Sequence, residues 1–221
     1  MEANLAKIMH LRIKRTIDAL EKNNMKALYV PGRQEALTLL KTMLVKGETI
    51  GTGGSVTFLE LGVIDLLRNG DYRFLDRYDP ALAPEDVWDL LAKTLLADTY
   101  LTSSNAITET GLLYNVDGNS NRVAAMLFGP RRVIVIAGQN KIVPSVEDAL
   151  TRLKTTAAPA NCIRLGLGTY CSGKGRCMTP NQISPPPGAC ENTICCNTVI
   201  MGRQRIPGRI TVIIVGENLG Y

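Results

Sequence analysis

Apolar residues recur along this chain with two alternating periods. Leu5, Ile8, Met9, Ile13, Ile17 and Leu20 fall at helical spacing and predict an amphipathic first helix with basic residues on its other face. Ala27–Val30 is a short apolar run stopped by Pro31-Gly32, and Ala36, Leu39, Leu40, Met43 and Leu44 return to the helical period before Gly47. Thr49–Ile50 predicts a strand leading directly into Gly51-Thr52-Gly53-Gly54-Ser55. Val56, Leu59, Val63, Leu66 and Leu67 then mark a third helix, closed by Asn69-Gly70. Further strands are predicted at Arg73–Asp76, Thr99–Thr102, Leu112–Val116, Val133–Ala137 and Ile210–Val215. Pro84-Glu85-Asp86 opens a helix with proline in the first turn and acids at the positive dipole end. Asn121–Phe128 and Val146–Leu153 are helical, and Thr155–Ala160 reads as a small-residue linker. The alternation predicts an α/β fold, a mainly parallel sheet with helices on both faces.

Beyond Asn161 the periodicity stops. Residues 165–190 are rich in Gly, Pro, Cys and Ser, so residues 165–197 are read as a cysteine-rich excursion before Ile210–Val215 rejoins the sheet. A loop of that length calls for a function or for something to hold it. The 221 residues suffice for one well-buried core, and the whole chain, 1–221, is expected to form one domain.

Composition adjusts this picture little. Aromatics make up only 5% of the chain, so Leu, Ile, Val and Ala must build the core. No run approaches the ~18–20 apolar residues of a membrane span, and Lys7, Arg12, Lys14 and Arg15 interrupt the N-terminus where a signal peptide would be apolar. A cytoplasmic protein without membrane partners is expected. Of the net charge of +5, most falls after Asn161, as scattered basic residues without aromatic stacking platforms or a reading helix. Nucleic acid is therefore not an expected partner.

The strand–glycine–helix junction at Gly51, Thr52, Gly53, Gly54 and Ser55 carries the first candidate chemistry. Glycines permit positive φ and close backbone approach, so successive N–H groups can point at one anion at the start of a helix. Thr52, Ser55 and Thr57 add hydroxyl donors. The spacing is neither a P-loop nor G-x-G-x-x-G. A second polar stretch, Thr102–Gly111, follows a predicted strand, where ligands of open α/β sheets bind. It offers Ser103, Ser104 and Asn105 as ligand contacts and Glu109 as a catalytic carboxylate, with Asp117 before Gly118 as the other. The one histidine, His10, sits in the first helix, which leaves a Ser/His/Asp mechanism without support.

Several motifs together resemble the lactate-utilisation domain family. They are Gly51–Gly62, Thr102–Gly111, Asn115–Asn119, Phe128-Gly129-Pro130, Gly138–Val143, Pro207–Ile210 and Gly216–Tyr221. The resemblance covers nearly the whole chain. It implies a fold similar to the ribose-5-phosphate isomerase, glucosamine-6-phosphate deaminase and coenzyme A transferase group, whose corresponding glycine turn binds a phosphate or acyl-CoA. Larger members take part in oxidising lactate to pyruvate alongside iron–sulfur proteins. Asn105 and Glu109 stand where the isomerases' acid-rich stretch is expected, which speaks against sugar-phosphate isomerisation.

All six cysteines lie between Cys162 and Cys196. Reduced, clustered thiols favour metal ligation over disulfides. Cys171, Cys177, Cys190 and Cys195 are the expected four thiolates, with Cys162 outside the set, holding zinc or an iron–sulfur cluster. The family's association with electron transfer tilts that choice to the cluster. Two readings follow: a lactate or organic-acid utilisation protein binding a small anionic metabolite (carboxylate, phosphate or CoA-like), or an electron-transfer or scaffold subunit partnering iron–sulfur oxidoreductase subunits.

Overall fold

The computed structural model describes residues 2–183 and 185–221. Its main sheet is wholly parallel. It is built from β1 (Lys26–Val30), β2 (Thr49–Thr52), β3 (Arg73–Leu75), β4 (Thr99–Thr102), β7 (Arg132–Gly138) and β10 (Ile210–Val215), in the order β1-β10-β7-β4-β2-β3. The α/β reading therefore holds.

The apolar runs are continuous because both sheet faces are covered. Ile210, Val212 and Ile214 of β10 pack with Ile13 and Leu20 of helix α1 (Ala3–Lys22) and with Ala125 and Met126 of α6 (Asn121–Leu127). Ile213 and Val215 pack on the opposite face, with Ala36 and Leu40 of α2 (Arg33–Met43) and with the helices α3 (Val56–Leu61) and α4 (Val63–Arg68). The predicted third helix is thus two short ones, divided at Gly62 in the left-handed conformation. The predicted fourth is α5 (Val87–Lys93) with a 3₁₀ turn at each end.

A second sheet, absent from the sequence reading, is formed by β5 (Ala106–Thr108), β6 (Leu113–Asp117), β8 (Ile142–Val143) and β9 (Asn197–Met201), in the order β8-β5-β6-β9. β5 lies inside the stretch read as a loop, and β9 brings the end of the cysteine-rich segment antiparallel onto β6.

The supposed linker is helical as well. Helix α7 (Val146–Arg152) runs through a π-helical turn, Leu153–Ala157, into α8 (Ala158–Arg164). Pro159, which has no N–H to donate, falls just where the π turn hands over to α8. Helix α9 (Tyr170–Lys174) breaks up the excursion.

Candidate functional site: a cationic cavity at the switch point

From β2 the chain moves outward to β3, then returns to the other side of β2 as β4. The loops after two such neighbouring strands diverge, and they leave a crevice beyond the strand ends. A cavity of about 340 Å³ lies there. Gly54 and Ser55 after β2 line it, as do Ser103, Ser104 and Asn105 after β4. The far wall is one face of the α7–α8 helix, with Leu153, Ala157, Ala158, Asn161 and Arg164. The alanines that made this segment look like a linker are what keep the cavity open.

Lys141, between β7 and β8, lines the cavity although it is only 3% exposed. Its Nζ donates to Thr57 Oγ1 and Ser103 Oγ, each at 3.0 Å. Burial, then repulsion from the Arg152 and Arg122 guanidiniums, pulls its amine down to about 7. Its place depends on the C-terminal tail. Asn140 Nδ2 donates to Gly220 O, the Leu219 N–H to Asn140 Oδ1, and the Gly220 N–H to Glu60 Oε2. Gly220 has φ of +53°, and a Cβ there would stand 2.7 Å from Thr57 Oγ1. Only glycine lets the tail close over the lysine's hydroxyl partner.

Arg122 braces the floor. It donates to Asn115 Oδ1 (2.6 Å), Val116 O (2.8 Å), Ser103 O (3.2 Å) and Asn105 Oδ1 (3.2 Å), and pairs with Asp117 Oδ2 at 3.2 Å. Arg77 and Arg164 complete the cationic lining. Arg77 lies over Gly54, where a Cβ would meet its Cζ at 3.7 Å. Among the described residues, no carboxylate pairs with Arg77, Lys141 or Arg164.

The predicted ligand residues divide. Gly54, Ser55, Ser103, Ser104, Asn105 and Asp117 line the cavity, and Thr57 lies behind it against Lys141. Gly51, Thr52 and Gly53 do not. The backbone rationale for the glycines is also corrected: none of Gly51, Gly53 and Gly54 has positive φ. The Gly53 N–H donates to Leu101 O and the Ser55 N–H to the Tyr78 hydroxyl, so neither is left for an anion. A Cβ at 51 would lie 2.8 Å from Thr94 Cβ, so something there would have to shift, and one at 53 would press on the Arg122 stem at 3.0 Å. Positive charge at this site comes from side chains more than from amides.

Glu109 lies outside the cavity lining. Its carboxylate accepts from Arg12 Nε at 2.7 Å and Arg15 Nη2 at 2.6 Å, tying β5's end to α1. Burial pushes its carboxyl up, but the Arg15 and Arg12 guanidiniums outweigh this and hold it below the usual carboxylate range. The structure thus gives Glu109 a tethering position, and Asp117 is the carboxylate at the cavity.

All six cysteines are free thiols. Cys162, Cys171, Cys177, Cys190 and Cys195 line one apolar cavity of about 20 Å³. Burial pushes the Cys162 and Cys195 thiols up to about 11. Lys154 of the π turn is fully buried against the same cavity, and its Nζ has no hydrogen-bond partner among the described residues. Cys195, Ile194 and Ala158 form the wall shared with the cationic cavity. Among the described residues, no helix is long and apolar enough to cross a membrane.

Fold and site together define an open α/β protein with a basic cavity at its switch point. Residues 13–215 match the LUD domain model, and the chain belongs to the LUD domain family, related to lactate utilisation proteins. Among solved structures it is similar to a DUF162 family protein from Deinococcus radiodurans, at 15% identity and a TM-score of 0.52, over 94% of this chain and 98% of that one. That likeness bears on fold alone. No curated protein matches the chain.

Proposed function

We propose that this LUD-family protein binds a small organic anion of lactate-type metabolism, bearing a carboxylate or phosphate, in the switch-point cavity. Asp117 and Lys141 would handle protons there. The carrying observation is that Arg77 and Arg164 line one cavity without any carboxylate partner among the described residues. Uncompensated cations around a concave site call for an anionic ligand. The 340 Å³ volume lies near the lower end of small-molecule sites, about 300–1,000 Å³. It suits a metabolite of a few carbons, or the acyl end of a larger CoA-like one.

Thermal unfolding against a panel of lactate, pyruvate, phosphate and short acyl-CoA esters tests this. A ligand at about 100 times its Kd should add about 2.7 kcal/mol, a shift of several degrees. Arg77→Gln should abolish the response and Glu109→Gln should keep it. An unmoved transition across the whole panel would remove the reading.

The thiol segment supports a second reading, a zinc or iron–sulfur site in an electron-transfer or scaffold subunit docked to oxidoreductase partners. The donor chemistry fits, since five thiols line one cavity with the buried Lys154, whose Nζ has no hydrogen-bond partner among the described residues. The arrangement does not, because among the described residues no three such side chains are placed to share an ion. Metal binding would require the segment to draw inward. Metal analysis of anaerobically prepared protein is expected to find sulfur-bound zinc or iron, lost in Cys171→Ser/Cys177→Ser. A colourless, metal-free, folded protein overturns this reading.

A further inference from the structure

The cavity contains a feature that charge recognition alone does not explain. A lysine placed only to neutralise an anion works best fully charged, and a solvated stem supplies that at no desolvation cost. Lys141 is instead buried, with two neutral hydroxyls as its partners, and it sits near two guanidiniums that disfavour its charged form. Those surroundings favour the neutral amine, whose lone pair is a nucleophile for carbonyl carbon. The unpaired guanidiniums of Arg77 and Arg164 line the same cavity and suit a carboxylate.

We infer that the cavity takes a small oxo acid, and that Lys141 condenses with its carbonyl group to form an imine. The inference rests on the anion-binding reading. The Nζ lone pair forms the C–N bond while the carbonyl π pair moves to oxygen. The nitrogen then gives up two protons, and the former carbonyl oxygen leaves with them as water. No oxidant or reductant is consumed. Asp117 is the one acidic side chain among the described residues lining this cavity, and it is the group to relay a proton to the departing oxygen.

Borohydride capture tests this on the wild-type protein. Pyruvate, 2-oxobutyrate, oxaloacetate and 2-oxoglutarate are each incubated with cyanoborohydride, and adducts are mapped by peptide mass spectrometry. One of the four should modify Lys141 about ten-fold over any surface lysine, whose amine stays protonated. Lactate, lacking a carbonyl, should leave no adduct. Lys141→Arg should lose the adduct and keep part of the thermal response. An oxo acid that raises the unfolding temperature but leaves Lys141 unmodified overturns the imine and spares anion binding. Adducts spread evenly over surface lysines also overturn it. If no oxo acid and no other anion shifts unfolding, both readings fail together.

Discussion

Arg122→Met is expected to cost about 3–5 kcal/mol of folding free energy, the range for breaking a buried ion pair from one side. Its guanidinium serves four oxygen acceptors on the β4–β5 connection and on β6, besides the Asp117 carboxylate. Methionine preserves the stem that packs on Gly53 and deletes every polar contact. The Ser103 and Val116 carbonyls would lose a donor, and Asp117, whose side chain is 11% exposed, would lose its counter-charge. An unmet buried group costs about 1–3 kcal/mol, so several together justify the range. Arg122→Lys should fall between, because one ammonium cannot span acceptors that a planar fork reaches. Urea denaturation reads the difference directly. A loss under about 1 kcal/mol would mean that water replaces the guanidinium freely and that this floor is not a rigid part of the site.

Lys141→Met should act in the opposite direction and stabilise the protein by about 2 kcal/mol near neutral pH, the scale on which a strained functional group is relieved. The amine ordinarily titrates at 10.5 and is pulled to about 7 in the fold, first by burial. Below about 7 both folded and unfolded chains hold the proton, so the folded state bears the full cost of a buried cation. As pH rises from there towards 10.5, only the unfolded chain still binds it, and the cost fades. The advantage of Lys141→Met over wild type should therefore be largest at pH 6–7 and shrink by pH 10. Thr57 Oγ1 keeps its contact with Leu219 O, and Ser103 opens on the cavity, so neither hydroxyl is stranded. The same variant should lose oxo-acid capture entirely. Equal destabilisation at every pH would show that Lys141 is a structural strut and not a poised amine.

The misplacements in the sequence reading have physical causes. Glu109 looked catalytic because it stands alone among hydroxyl residues; its partners Arg12 and Arg15 lie 97 and 94 positions earlier. Thr155–Ala160 looked like a linker because alanine and threonine carry no apolar period, yet helical spacing from Leu153 to Ala157 to Asn161 marks one face along the cavity. Lys141 follows β7 in a short polar turn, the usual setting of a solvated lysine. Its one sequence trace was the Gly138–Val143 motif, which carried no chemical reading. β5, β8 and β9 are at most five residues long, too short for a period to declare itself.

What the sequence determined alone is what local periodicity can encode. The amphipathic α1 and the doubly buried β7 and β10 follow from which side chains must leave water, and so do the strand-to-helix junction at residues 51–55 and the gathering of the thiols. Tertiary structure decided the rest. The outward and inward crossovers around β2 and β4 set two loop ends apart, and the tail's Gly220 closed behind Lys141. Gly53 met Arg122 only there. Whether a lysine is a solvated charge or a buried amine depends on which distant segments pack around it, and no window along the chain contains them.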